Sequence, residues 1–272
     1  MSSTSEADLE TLGNKPRTYR FLAYLFAAIL IGIWLSISPS GLLGKADAIG
    51  YAVCHRIDLR SFHLGERQLP LCARCSGMYL GAFLSLIYFQ ARRPRAGLFP
   101  QRMVIYTFVV FALLWAVDGF NSFMHLLPFG PRFYTPSNTL RLITGSLMGI
   151  PLATMVYPLF NQTMWREWKP VPVLKSLRDL IPLLALTTVL ILLILSENSL
   201  ILYPLALLSS VGVLVLLGVI YTTLTVTVTR RENQAKSWGD LILHLSIGVT
   251  FAVLQVLLIA SLRAILIGDG GW

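Results

Sequence analysis

Charge is what this chain has least of. Asp, Glu, Lys and Arg make up 13% of its 272 residues, where a soluble domain carries about 25%. Acidic residues are the scarcer sign, 13 against 22 basic ones, for a formal net charge of +9. Cysteine occurs three times, so at least one thiol has no partner for a disulfide within the chain. Histidine occurs four times. Apolar residues fill the remainder: 55% are hydrophobic and the mean hydropathy is +0.68. A helix needs about 20 apolar residues to cross ~30 Å of hydrocarbon, and the long uncharged runs meet that length. The scarcity of charge therefore excludes a soluble domain and predicts an all-α, polytopic transmembrane helix bundle.

The basic excess does not indicate nucleic acid, because no basic patch interleaved with aromatics occurs. Lys and Arg lie instead in short gaps between apolar runs, the pattern of the positive-inside rule. Seven spans are predicted, at about 18–37, 74–91, 103–127, 137–160, 180–196, 200–226 and 241–265. Residues 1–17 read as a disordered polar tail. The first apolar run lacks a small-x-small cleavage site and reads as a retained helix. With the N-terminus inside, 14 of the 22 basic residues fall in inside segments; the C-terminus is then outside. Residues 18–160 are expected to form a four-helix membrane core with an outer loop at 38–76. Residues 161–272 are expected to form a three-helix scaffold. Arg263 is expected to snorkel to the outer interface.

That outer loop breaks the charge rule. Lys45, Arg56, Arg60, Arg67 and Arg74 all lie in it, and local exceptions to folding rules mark functional sites. All three cysteines lie there too. Cys72 and Cys75 form a C-x-x-C, a spacing at which two sulfurs face one point from a tight turn or a first helical turn. Cys54 and His55 precede them. The set offers three thiolates and one imidazole, a metal-ligand complement with zinc-like spacing. Zinc is the expected ion, and copper is the alternative because soft thiolates also suit Cu(I). Three thiolates and Zn²⁺ sum to −1, which Arg56 and Arg74 are placed to offset. Adjacent side chains diverge, however, by about 100° on a helix and nearly 180° on a strand. His55 joins Cys54 at one ion only if the backbone turns there; His63 and His125 are the other candidates for the fourth position. The rival chemistry is thiol redox, with the C-x-x-C passing electrons to quinone, or an inert disulfide with one spare thiol.

A second polar set lies in "WAVDGFNSFMHLL". Asp118, Asn121, Ser122 and His125 share one helix face, with Asp118 roughly 15 Å deep. An intramembrane carboxylate marks a functional site. Arg141, in "SNTLRLITGSLMG", is its expected partner across the hairpin of the third and fourth spans. "SGMYLG" and "TGSLMG" each carry G-x-x-x-G, which permits close helix approach.

The stretches "CHRIDLRSF", "RQLPLCARCSGMYLG", Asp118-Gly119 and "SNTLRLITGSLMG" together resemble domain-of-unknown-function family 2085, a family of prokaryotic multi-pass membrane proteins. The resemblance runs from Cys54 to Gly149. It departs at Ser76, where Thr is usual, and at Asn121, where Gln is expected. It implies that Cys54, His55, Arg56, Cys72, Arg74, Cys75, Asp118 and Arg141 belong to one motif, and it favours His55 over His63 as a ligand. It implies no activity.

Three functions fit these residues. The first is a metal-dependent membrane enzyme, with Asp118 as base and Arg141, Arg74 or Arg56 near an anionic lipid or small-molecule substrate. The second is a membrane thiol-disulfide oxidoreductase. The third is a transporter or a structural or assembly protein. The expected location is the plasma membrane, with the lipid bilayer as partner and the Cys/His site on the extracytoplasmic side.

Overall fold

The computed structural model describes residues 6–127, 130–131 and 133–267, with side chains from Thr18 to Leu266 within these. The expected polar tail over residues 1–17 has only its helical backbone described, from Glu6. Eight α-helices occur among the described residues: α1 (Glu6–Ile37), α2 (Gly41–Val53), α3 (Ala73–Arg92), α4 (Arg102–Met124), α5 (Asn138–Met164), α6 (Leu177–Leu195), α7 (Ser199–Val228) and α8 (Trp238–Ile267). Two small sheets accompany them among the described residues. In one, β1 (His63–Leu64) pairs antiparallel with β2 (Arg67–Gln68), the chain turning at Gly65 with φ +62°. In the other, β3 (Ala96–Leu98) pairs parallel with β4 (Lys169–Pro172).

Six helices are long and apolar enough to cross a membrane: α1 from Thr18, and α4, α5, α6, α7 and α8. Their outward faces carry unpaired apolar side chains such as Phe21, Phe26, Tyr106, Leu192 and Leu262, as a bilayer-embedded bundle requires. α3 is of spanning length, 20 residues, but is interrupted by Arg74, Ser76, Ser85 and Gln90. It packs on α5 and α7.

Small residues let α3 and α5 touch backbone to backbone. A methyl group at Gly77 would lie 2.5 Å from the Leu142 carbonyl oxygen, and one at Gly81 2.6 Å from that of Ser146. From the other side, Gly145 faces the Arg74 carbonyl and Gly149 that of Met78, more closely still. The two G-x-x-x-G words read in the sequence are thus the two halves of one interface.

The segment expected to be a plain outer loop contains α2, a 13-residue helix. At ~1.5 Å per residue it is too short to span. Most of it is buried nonetheless, wedged against α7 and α8. Gly50 permits this seating, since any side chain there would strike the Pro70 carbonyl.

Candidate functional site

Cys54 ends α2. Its amide closes that helix on the Gly50 carbonyl at 2.8 Å, and its own backbone is extended (φ −136°, ψ 144°). Cys72 occupies the N-cap of α3 without using its side chain as a cap, and Cys75 lies in the first turn. The sulfurs of Cys54, Cys72 and Cys75 all lie within 4.8 Å of one another. The Cys72 amide donates to Cys54 Sγ at 3.4 Å. A tetrahedral Zn²⁺ with bonds of ~2.3 Å needs sulfurs about 3.8 Å apart, so the triangle fits such an ion after a small contraction. All three cysteines are free thiols. Hydrogen bonds from the Cys72 and Cys75 thiols push the Cys54 thiol far down, and the same bond to Cys54 pushes the Cys72 thiol up. One shared thiolate is therefore favoured before any ion arrives.

No described histidine lies in the sulfur cluster. His55 is exposed and is absent from the cluster. The extended backbone at Cys54 is the reason: successive side chains on extended chain point to opposite sides. His63 Nε2 pairs with Asp58 at 2.8 Å. His125 Nδ1 meets the Asn121 carbonyl at 2.9 Å. The set of three cysteines and a histidine expected from the sequence is, in the structure, a cluster of the three cysteines alone.

Two arginines meant to neutralise the sulfurs are engaged elsewhere. Arg56, at φ 51°, binds Asp47 at 2.9 Å, and Arg67 binds the other oxygen of the same carboxylate at 2.6 Å. Asp47 is buried in α2 and carried no sequence signal. It anchors both ends of the loop to the helix. Arg74 turns away from the cysteines toward α4.

There Arg74, not Arg141, is the partner of Asp118. Arg74 Nε donates to Asp118 Oδ2 at 3.1 Å, and Nη2 donates to the same oxygen. Nη2 also reaches the Asp118 carbonyl and Ser122 Oγ, each at 3.0 Å. Tyr134 Oη donates to Asp118 Oδ1 at 2.9 Å, and Thr144 Oγ1 to Oδ2 at 3.4 Å. The expected Asp118–Arg141 pair does not form. Arg141 donates instead to Asn138 Oδ1 at 2.8 Å and to Ser122 Oγ at 3.4 Å. The reason lies in the glycine interface: by bringing Arg74's backbone onto Gly145, it places α3 where the hairpin partner was expected. With both carboxylate oxygens occupied, Asp118 is an anchor for Arg74 rather than a free base.

Arg60 completes a third corner, its Nη2 donating to the Ser122 carbonyl at 2.6 Å. Burial and then the neighbouring charge of Arg74 push the Arg60 guanidinium down from its usual range. Three guanidiniums thus meet at Ser122, only that of Arg74 pairing with Asp118, and Arg141 is only 6% exposed. Asn121, fully buried, clamps the turn between α4 and α5 through Phe133 N at 3.0 Å and the Tyr134 carbonyl at 2.9 Å. Burial, followed by the Asp118 hydrogen bond, pushes the Tyr134 phenol up to about 12.

The last helix also reaches the cysteines, which the sequence did not disclose. Arg263 Nη1 donates to the carbonyls of Tyr51 and Cys54 at 2.8 and 2.7 Å, and Nη2 to that of His55 at 3.2 Å. Its guanidinium lies 4.2 Å over the Tyr51 ring. Rather than snorkelling free, it pins the Cys54 turn.

Known proteins match the part of the chain that carries these side chains. A family model described as a predicted membrane protein, DUF2085, matches residues 54–155. An uncharacterized protein of Methanothermobacter thermautotrophicus is 35% identical over 107 residues, 38% of this chain and 83% of that protein. An uncharacterized protein of Methanocaldococcus jannaschii is 26% identical over 124 residues, 45% of this chain and 72% of that protein. No solved structure matches. The match begins at Cys54 and takes in Cys72, Cys75, Asp118 and Arg141, while Asp47 and Arg263 lie outside it. Since the archaeal relative from Methanothermobacter is matched along most of its own length, the chain belongs to the DUF2085 family of predicted membrane proteins.

Proposed function

We propose that Cys54, Cys72 and Cys75 hold a thiolate-loving metal ion at the extracytoplasmic end of a plasma-membrane protein, and that the adjoining arginines receive an anionic group. Zinc is the first assignment and Cu(I) the alternative. The observation that carries this reading is the convergence of three sulfurs from segments 18 residues apart in sequence. Three protein ligands leave one position for water or substrate, the pattern of catalytic rather than structural zinc. Three thiolates with Zn²⁺ carry −1, and Arg60, Arg74 and Arg141 with Asp118 carry +2. The surplus charge favours an anionic substrate, such as a lipid phosphate, held by guanidinium. The reading is a metal-dependent membrane enzyme in which Asp118 positions Arg74. Counting α3 as a seventh crossing, with the N-terminus inside, supports the outward placement through the basic residues at the opposite end.

A second reading rests on a separate observation. The C-x-x-C sits at the start of α3, with Cys54, the thiol of lowered pKa, in reach to attack or be attacked. This suits a thiol-disulfide oxidoreductase that oxidises Cys72 and Cys75 to a disulfide and delivers two electrons and two protons to a quinone.

Elemental analysis and thiol titration of the protein purified anaerobically, with no reductant added, separate the two. The metal reading expects about one zinc or copper per chain, lost in Cys72→Ser. Metal-free protein carrying a Cys72–Cys75 disulfide would support redox chemistry and end the metal reading.

A further inference from the structure

The opposite end of α3 carries a second site, independent of the metal reading. Arg92 closes the last turn of α3 and Arg93 follows as its C-cap. α6 begins beside them with Arg178 and Asp179. Together these four residues line a cavity of about 280 Å³. Arg93 pairs with Asp179 at 3.5 Å. Among the described residues, Arg92 and Arg178 have no carboxylate partner, so the cavity keeps two positive charges in excess. The α6 N-terminus adds a positive dipole end.

The cavity does not close at its membrane side. Tyr88, Arg92 and Pro182 also wall a groove of about 600 Å³ between α3 and α6. That groove is lined by Leu84, Ile87, Ala185, Leu186 and Val189. Ile87, Leu186 and Val189 are 43–54% exposed. A cationic head pocket thus opens directly into an apolar channel along two helices. At ~1.5 Å per residue, the 20 residues of α3 place this pocket roughly 30 Å from the cysteine end, at the other membrane interface.

We propose that the α3–α6 groove binds an anionic phospholipid, its phosphate between Arg92 and Arg178 and an acyl chain along Leu84, Leu186 and Val189. Charge complementarity selects the headgroup, since basic pockets between helices at this interface suit anionic lipids. The attached apolar groove selects a lipid over free phosphate.

Native mass spectrometry of the full chain in detergent, titrated with phosphatidylglycerol, tests this. Arg92→Gln with Arg178→Gln is expected to weaken binding roughly ten- to thirtyfold. Ala185→Trp, which fills the groove, is expected to weaken it comparably. Arg92→Lys with Arg178→Lys, which keeps the charge, is expected to recover most of the loss. Arg230→Gln with Arg231→Gln, at the same end of the bundle but outside the pocket, is expected to change it less than twofold. All these side chains are exposed, and unchanged melting temperatures confirm folded variants. Unaltered affinity in the pocket variants overturns the proposal. So does an equal loss in the Arg230/Arg231 control, which would mean diffuse surface attraction. Competition by inorganic phosphate with no effect of Ala185→Trp would reduce the site to a free-anion pocket and likewise overturn it.

Discussion

Arg74 and Asp118 are joined across α3 and α4 by two guanidinium nitrogens on one carboxylate oxygen, and the Asp118 side chain is only 2% exposed. The sequence places Arg74 between two cysteines, so the pair ties the cysteine turn to the polar face of α4. Removing one partner of a buried pair leaves an uncompensated charge and costs about 3–5 kcal/mol. Arg74→Ala and Asp118→Ala are each expected to lower thermal stability in detergent by that order. The double variant should lose much less than the sum. Additive losses in a double-mutant cycle would show that the two side chains do not act as a pair.

The α3–α5 interface makes a sharper steric prediction. Gly145→Ala places a methyl group against the Arg74 carbonyl, and rigid backbone cannot yield as a side chain can. Forced separation of α3 from α5 should destabilise the protein by about 1–3 kcal/mol and loosen the Arg74 turn. Gly32→Ala, which meets nothing within 4 Å, is the matched control and should be neutral or slightly stabilising. Equal melting temperatures for the two variants would contradict this packing.

Arg263 acts on the cysteines only through backbone carbonyls. Arg263→Gln should therefore leave the bundle folded yet weaken metal retention roughly 10- to 100-fold, the usual range for groups that orient ligands. Competition with a chelator of known affinity measures the change. Unaltered retention would make Arg263 merely a helix anchor.

The depressed Cys54 thiol has a pH signature in metal-free, reduced protein. Ordinary thiols ionise near pH ~8.5. With its folded value lowered, Cys54 stabilises the fold above that ordinary value, and this contribution is lost as pH falls through the lowered one. Thiolate absorbance should show about one equivalent at neutral pH, abolished in Cys54→Ser, while Cys72 ionises only above the ordinary range. Absorbance that appears only in the ordinary range would mean three independent thiols.

The six helices long and apolar enough to cross a membrane are legible because each carries a long apolar run, and α3 is legible as a helix although polar residues break its run. α2 escaped for a physical reason: Lys45 and Asp47 interrupt "GLLGKADAIGYAV", and its burial comes from α7 and α8 rather than from its own composition. The cysteines were legible as a set because reactive side chains are rare here. His55 lies outside the cluster because sequence adjacency to Cys54 says nothing of direction along extended chain. Asp118 was readable as a buried carboxylate, but its partner was not. Arg141 is nearer in sequence, whereas the glycine contacts of α3 with α5 decide which guanidinium arrives. Arg263, 209 residues from Cys54, had no local signal at all.

The most direct test of the account is zinc-edge X-ray absorption on protein loaded with one equivalent of zinc. Convergence of Cys54, Cys72 and Cys75 on one ion predicts three sulfur neighbours at about 2.3 Å with one lighter oxygen or nitrogen neighbour, falling to two sulfurs in Cys54→Ser. A shell of light atoms alone, or a sulfur count that Cys54→Ser leaves unchanged, would contradict it.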